Sequence, residues 1–86
     1  MRLLVIENDK TLNHLIVKSL EEEGYKSDFA FNVIDGEYFL NVRNYNLVIV
    51  DTSFGLSEVF KFIDYAKSKV PLIKIIVISD DERVES

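Results

Sequence analysis

Three short apolar runs, Leu3–Ile6, Leu47–Val50 and Ile73–Ile78 with only Lys74 intervening, each end on an oxygen-bearing side chain. Glu7, Asn8 and Asp9 follow the first, Asp51 the second and Ser79 the third. Runs this short and this rich in Val and Ile suit strands covered on both faces, the setting of a parallel sheet. Such a sheet delivers whatever follows its strands to one edge, and open α/β folds keep their chemistry at that edge.

Between the runs the apolar spacing becomes helical. Leu12, Leu15, Ile16 and Leu20 form a predicted stripe after the first run, with Asp9 placed to cap the helix and Gly24 to end it in a left-handed turn. Tyr25–Ala30 alternates weakly and is predicted as a second strand. A helix is predicted over Asn32–Arg43, with Asn32 as its cap and Gly36 weakening its interior. Leu56, Val59, Phe60, Ile63 and Ala66 predict another helix through about Lys69, and Pro71 breaks the chain before the last run. The order β-α-β-α-β-α-β implies right-handed crossovers and a doubly wound sheet with helices on both sides.

The 86 residues make one small domain, and a content that is 48% hydrophobic excludes disorder. No apolar run approaches the roughly 20 residues needed to cross a bilayer. Charge resumes at Glu7, too early for a signal peptide, so a cytoplasmic setting is expected. A net charge of −5 with scattered Lys and Arg argues against direct nucleic-acid binding. The acidic groups Glu21–Glu23 and Asp80–Glu82 read as solvated faces, and His14, without a partner at useful spacing, as a surface residue. Phe54 and Phe60 read as packing residues.

With no cysteine, a metal would be held by oxygen ligands or by the single histidine. Oxygen donors gathered at the strand ends suit a hard divalent cation, Mg²⁺ foremost. A carboxylate beside such a cation is a competent nucleophile for a phosphoryl group.

The segments MRLLVIEND, NYNLVIVD and KIIVIS together resemble the receiver domain of two-component response regulators, across essentially the whole chain. The resemblance implies the flavodoxin-like (CheY-like) fold, here incomplete at four strands and three helices. It also implies a Mg²⁺ site at Glu7, Asn8, Asp51 and the Ser53 backbone carbonyl, with Asp51 as phosphoacceptor and Ser79 as the hydroxyl that senses the phosphate. A sensor histidine kinase is the implied phosphate source, and DNA binding is assigned to a domain further along an OmpR-type regulator. The stretch from Asp35 to Tyr38 and on through Arg43, Asn44 and Tyr45 also resembles the atypical orphan regulators of ε-proteobacteria, which act without ordinary phosphorylation.

Three departures modify that expectation. Asn8 stands where the family usually has Asp, which lowers the expected Mg²⁺ affinity, and Thr52–Leu56 replaces the usual turn after the phosphoacceptor. The family's fourth helix, fifth strand with its phosphate-pairing Lys, and fifth helix would all follow residue 86, so residues 1–86 are expected to be the N-terminal part of a receiver. Neither Lys69 nor Lys74 matches that Lys, since both precede Ser79. With a hydrophobic fourth strand at the sheet edge, self-association through it is expected. The alternatives are a phosphorylation-independent pseudo-receiver that dimerises and, ranking below it, a Mg²⁺-dependent phosphohydrolase using Glu7, Asp9 and Asp51. A nucleotide-binding domain is disfavoured, because no glycine lies between Glu7 and Leu12 to cradle a phosphate.

Overall fold

The computed structural model describes residues 1–79, so the acidic group Asp80–Glu82 lies outside the described residues. Strands β1 (Arg2–Ile6), β2 (Lys26–Ala30), β3 (Leu47–Asp51) and β4 (Lys74–Ile78) alternate with helices α1 (Lys10–Glu22), α2 (Val33–Val42) and α3 (Leu56–Lys69). All pairings are parallel and the order across the sheet is β2-β1-β3-β4. Strand order reverses at β1, whose neighbours on either side are β2 and β3, so the crevice between the C-terminal ends of β1 and β3 is a topological switch point.

The two faces of the sheet hold separate cores. Leu4, Ile6, Val48 and Val50 pack under α2 and α3 with Val33, Leu40, Val59, Phe62 and Ala66, whereas Val5 and Ile49 meet Val17 of α1 on the other face. The alternation of successive strand residues between faces produces this division. One helix on one side and two on the other is the doubly wound arrangement expected from the sequence.

Two helices are rotated relative to their predicted stripes. Asp9 caps α1 as expected, its Oδ1 accepting from the Leu12 N–H at 3.1 Å, and Gly24 closes the helix end at φ +92°. The core-facing line is Asn13, Ile16, Val17 and Leu20, while Leu12 and Leu15 are exposed. In α3 the buried line is Val59, Phe62 and Ala66; Phe60, predicted to pack, is 59% exposed, whereas Phe62 is fully buried. Spacing alone admitted either phase, because polar Asn13 hid the true stripe in α1 and two phenylalanines competed in α3. Phe54 packs against the larger core as expected.

Gly36 reverses its sequence reading. It is buried in α2, and a Cβ there would overlap the terminal methyl of Ile6 and crowd Ile6 Cγ1 at 3.1 Å. The missing side chain leaves room for Ile6 where α2 lies on β1, against the roughly 1 kcal/mol of helix propensity that glycine forfeits.

Polar groups fasten the fold away from the C-terminal edge. Asp28 Oδ2 accepts from the Tyr45 hydroxyl at 2.6 Å and from Arg2 Nη1 at 3.4 Å, with Arg43 Nη1 at 3.6 Å. Burial, then the Asp28 carboxylate, hold the Tyr45 phenol protonated well above its ordinary range. Asn46 joins three strands: its side-chain oxygen accepts from Arg2 N–H, its N–H donates to the Arg2 carbonyl and its carbonyl accepts from Lys74 N–H.

These assignments separate by mutation. Phe62→Ala should lower unfolding free energy by about 3–5 kcal/mol, and Phe60→Ala by less than about 1, in denaturant titrations. Equal losses would refute the observed phase of α3.

Candidate functional site

At the switch point Glu7, Asn8, Asp9, Leu12, Asp51 and Ser53 line an open cleft of about 380 Å³. Glu7 is the first residue past β1 and Asp51 the last of β3, so strand pairing sets both at one level. The 3₁₀ turn Thr52–Phe54 then folds Ser53 back, and its N–H donates to Asp51 Oδ1 at 3.0 Å. Ser53 Oγ donates to Asn8 Oδ1 at 3.0 Å and ties the two loops across the cleft.

Glu7 is 1% exposed and Asp51 8%, an uncommon degree of burial for carboxylates. One Glu7 oxygen, Oε2, accepts from the Asp9 N–H at 2.9 Å, while Oε1 is buried with no donor among the described residues. Burial first, and then the adjoining Asp51 carboxyl, push the Glu7 pKa up to about 7, against the downward pull of the Asp9 N–H. Two ionised carboxylates offer each other no hydrogen. A proton on Glu7 supplies one, which Asp51 accepts.

The unpaired Oε1 is the observation that tests whether the residues suit a cation. A buried carboxyl oxygen beside a second carboxyl, with the Asn8 amide and the Ser53 backbone near it, fits a hard divalent ion, which would take the place of the Glu7 proton. Among the described residues no three His, Cys, Asp or Glu side chains gather as a metal cluster, and the oxygens next to the Glu7–Asp51 pair include the neutral Asn8 amide and Ser53 groups. Asp9 lines the cleft, but its Oδ1 is engaged in capping α1.

The expected site residues Glu7, Asn8, Asp51 and Ser53 come together. Ser79 follows Ile78, the register partner of Asp51, and so lies at the same edge, but it is exposed and absent from the cleft lining. His14 is exposed, with its ring edge-on to Phe29 at 5.4 Å. Asn13 is the residue that sequence reasoning missed. Fully buried, it donates through Nδ2 to the carbonyls of Glu7 and Ala30, each at 3.0 Å, and so fixes the backbone that carries Glu7. Its signal was an amide one turn past a helix cap, at a position the stripe reading left to solvent.

No family model matches the chain. It is 36% identical over 77 residues, covering 85% of this chain and 34% of the relative, to the transcriptional regulatory protein DltR of Streptococcus agalactiae serotype III. Against the transcriptional regulatory protein CusR of Escherichia coli K12 it is 33% identical over 51 residues, 59% of this chain and 22% of that protein. The chain thus spans about a third or less of the length of these curated relatives. Among solved structures, the orphan response regulator HP1043 of H. pylori superposes with a TM-score of 0.80 at 37% identity, over 94% of this chain and 65% of that one. TrrA of Thermotoga maritima, solved in complex with Mg²⁺-BeF, superposes with a TM-score of 0.83 at 28% identity, over 98% of this chain and 73% of that one. The chain belongs to the receiver domains of OmpR-type response regulators.

The Glu7 shift has a measurable sign. In chelator, the unfolded chain ionises Glu7 near pH 4.5 while the folded chain holds its proton to about 7, so folding takes up a proton between those values. Stability should fall as pH rises from 4.5 to 7 and level off above. Comparison of unfolding free energies for the unmodified chain and Glu7→Gln isolates this contribution, and the same slope in both proteins would contradict it.

Proposed function

We propose that this receiver accepts a phosphoryl group on Asp51 and thereby governs a transcription regulator of which it forms one part. The observation that carries the proposal is the buried Glu7 Oε1, held beside Asp51 without a donor among the described residues. The residues would hold Mg²⁺ through the Glu7 and Asp51 carboxylates, the Asn8 amide oxygen and the Ser53 carbonyl. When bound, the ion offsets negative charge on the transferring phosphoryl group. The complex of TrrA with Mg²⁺-BeF supports this reading.

The chain's own residues set up the attack. Ser53 N–H holds Oδ1 of Asp51 and so orients the carboxyl in the cleft. An Asp51 oxygen forms the new bond to phosphorus while the bond from phosphorus to the donor's leaving atom, the ring nitrogen of a kinase phosphohistidine or the oxygen of an acyl phosphate, breaks and leaves its electron pair there. Ser79, one residue beyond the partner of Asp51 in the register, supplies the hydroxyl that responds to the phosphate.

Residues 1–86 correspond, on this reading, to the first four strands and three helices of the receiver. A sensor kinase donates the phosphate, and DNA contact falls to another part of the regulator, as the names of DltR and CusR support. Among the described residues no helix is long and apolar enough to cross a membrane. The half-exposed Ile76 and Val77 of β4, at the sheet edge, favour self-association of the 86-residue chain through that strand. Sedimentation should show mass rising with concentration, and a monomer throughout would remove that part of the reading.

Mass spectrometry tests the main proposal. With Mg²⁺ and a small acyl phosphate the unmodified chain should gain one phosphoryl group, which Asp51→Ala abolishes and Glu7→Gln strongly reduces. No adduct under saturating Mg²⁺ would refute Asp51 as the acceptor in this chain.

A further inference from the structure

We propose that the hydrogen bond between Ser53 and Asn8 is a latch that competes with the cation for the Asn8 amide oxygen. The inference rests on the cation site of the proposed function and concerns how the chain regulates entry to it. Ser53 reaches two ways: its N–H holds Asp51 Oδ1 at 3.0 Å, and its Oγ–H occupies Asn8 Oδ1 at 3.0 Å. One turn residue therefore ties the β3 carboxylate to the loop after β1, across 45 positions of sequence.

Charge at position 8 explains why the latch exists. A third carboxylate beside Glu7 and Asp51 would repel both until a cation arrived. The neutral amide adds no repulsion and accepts the serine hydroxyl instead. Cation and hydroxyl cannot share that oxygen without cost, because the positively polarised hydroxyl hydrogen and a divalent ion repel. Ion entry therefore turns the Ser53 hydroxyl away and forfeits its bond to Asn8. The latch holds the loops together in the free protein and weakens ion binding by the strength of one exposed hydrogen bond.

Ser53→Ala removes the donor while keeping the backbone N–H that holds Asp51, and should tighten Mg²⁺ binding about threefold in calorimetric titration, the change expected for part of one hydrogen bond. Ser53→Thr keeps a hydroxyl and should restore the affinity of the unmodified chain. In metal-free protein, Ser53→Ala should exchange the amide hydrogens of Asn8 and Ser53 faster, and saturating Mg²⁺ should reverse the difference. Glu7→Gln, paired with either form of residue 53, should greatly weaken Mg²⁺ binding.

The outcomes separate the two ideas. Equal or weaker Mg²⁺ binding by Ser53→Ala, with binding still dependent on Glu7, overturns the latch and leaves the cation site standing. No Mg²⁺ uptake by the unmodified chain or any variant overturns the site and the latch together.

Discussion

Strand β1 bonds to β2 along one edge and to β3 along the other, and Leu4, Val5 and Ile6 are wholly cut off from water on both faces. Removing apolar surface from water is the largest favourable contribution to a fold of this size, and it is concentrated here. Both cores are built on these three residues: Leu4 and Ile6 anchor the α2–α3 side, Val5 the α1 side. The next residue is Glu7, so the most tightly held strand carries a carboxylate into the cleft. Asn13 completes the arrangement by binding the Glu7 and Ala30 carbonyls with one amide, which fixes α1 to the ends of β1 and β2 together.

That placement opposes stability. A buried carboxyl beside a second one disfavours its own charge, and the fold tolerates it because the surrounding hydrophobic contacts are strong enough to hold it there. Folded domains retain such local conflicts chiefly where a ligand or a reaction resolves them. Asn8 lessens the conflict by removing one charge, and Ser53 uses the resulting neutral oxygen. The hydrogen bond from Ser53 thus joins the cleft across its mouth through an uncharged oxygen.

Much of this was legible in the sequence because parallel strands announce themselves as continuous apolar runs. The runs at Leu3–Ile6 and Leu47–Val50 placed Glu7 and Asp51 correctly, and the caps at Asp9 and Asn32 fixed two helix starts. Helix phase was harder to read. Period 3.6 leaves neighbouring stripes nearly equivalent, and only packing chose Val17 over Leu15 and Phe62 over Phe60. Asn13 was illegible as a buried anchor, since its worth depends on two carbonyls from segments distant in sequence. Gly36 misled for a related reason: its role is set by Ile6, thirty residues earlier, and local propensity carries no trace of that contact.

The polar fastenings are unevenly distributed along the strands. Arg2, Asp28, Arg43, Tyr45 and Asn46 clasp the sheet at its base and toward its middle, with a charged hub and a bridging asparagine spanning three strands. The rim that holds Glu7 and Asp51 carries no ion pair among the described residues and is secured by the Asn13 amide and by hydrogen bonds within the short loops. Such a body resembles a hand fan riveted at one end, its charged fastenings gathered toward the base and its cleft at the rim. A phosphoryl group on Asp51, as proposed above, would therefore meet loops and helix ends first and the core only behind them.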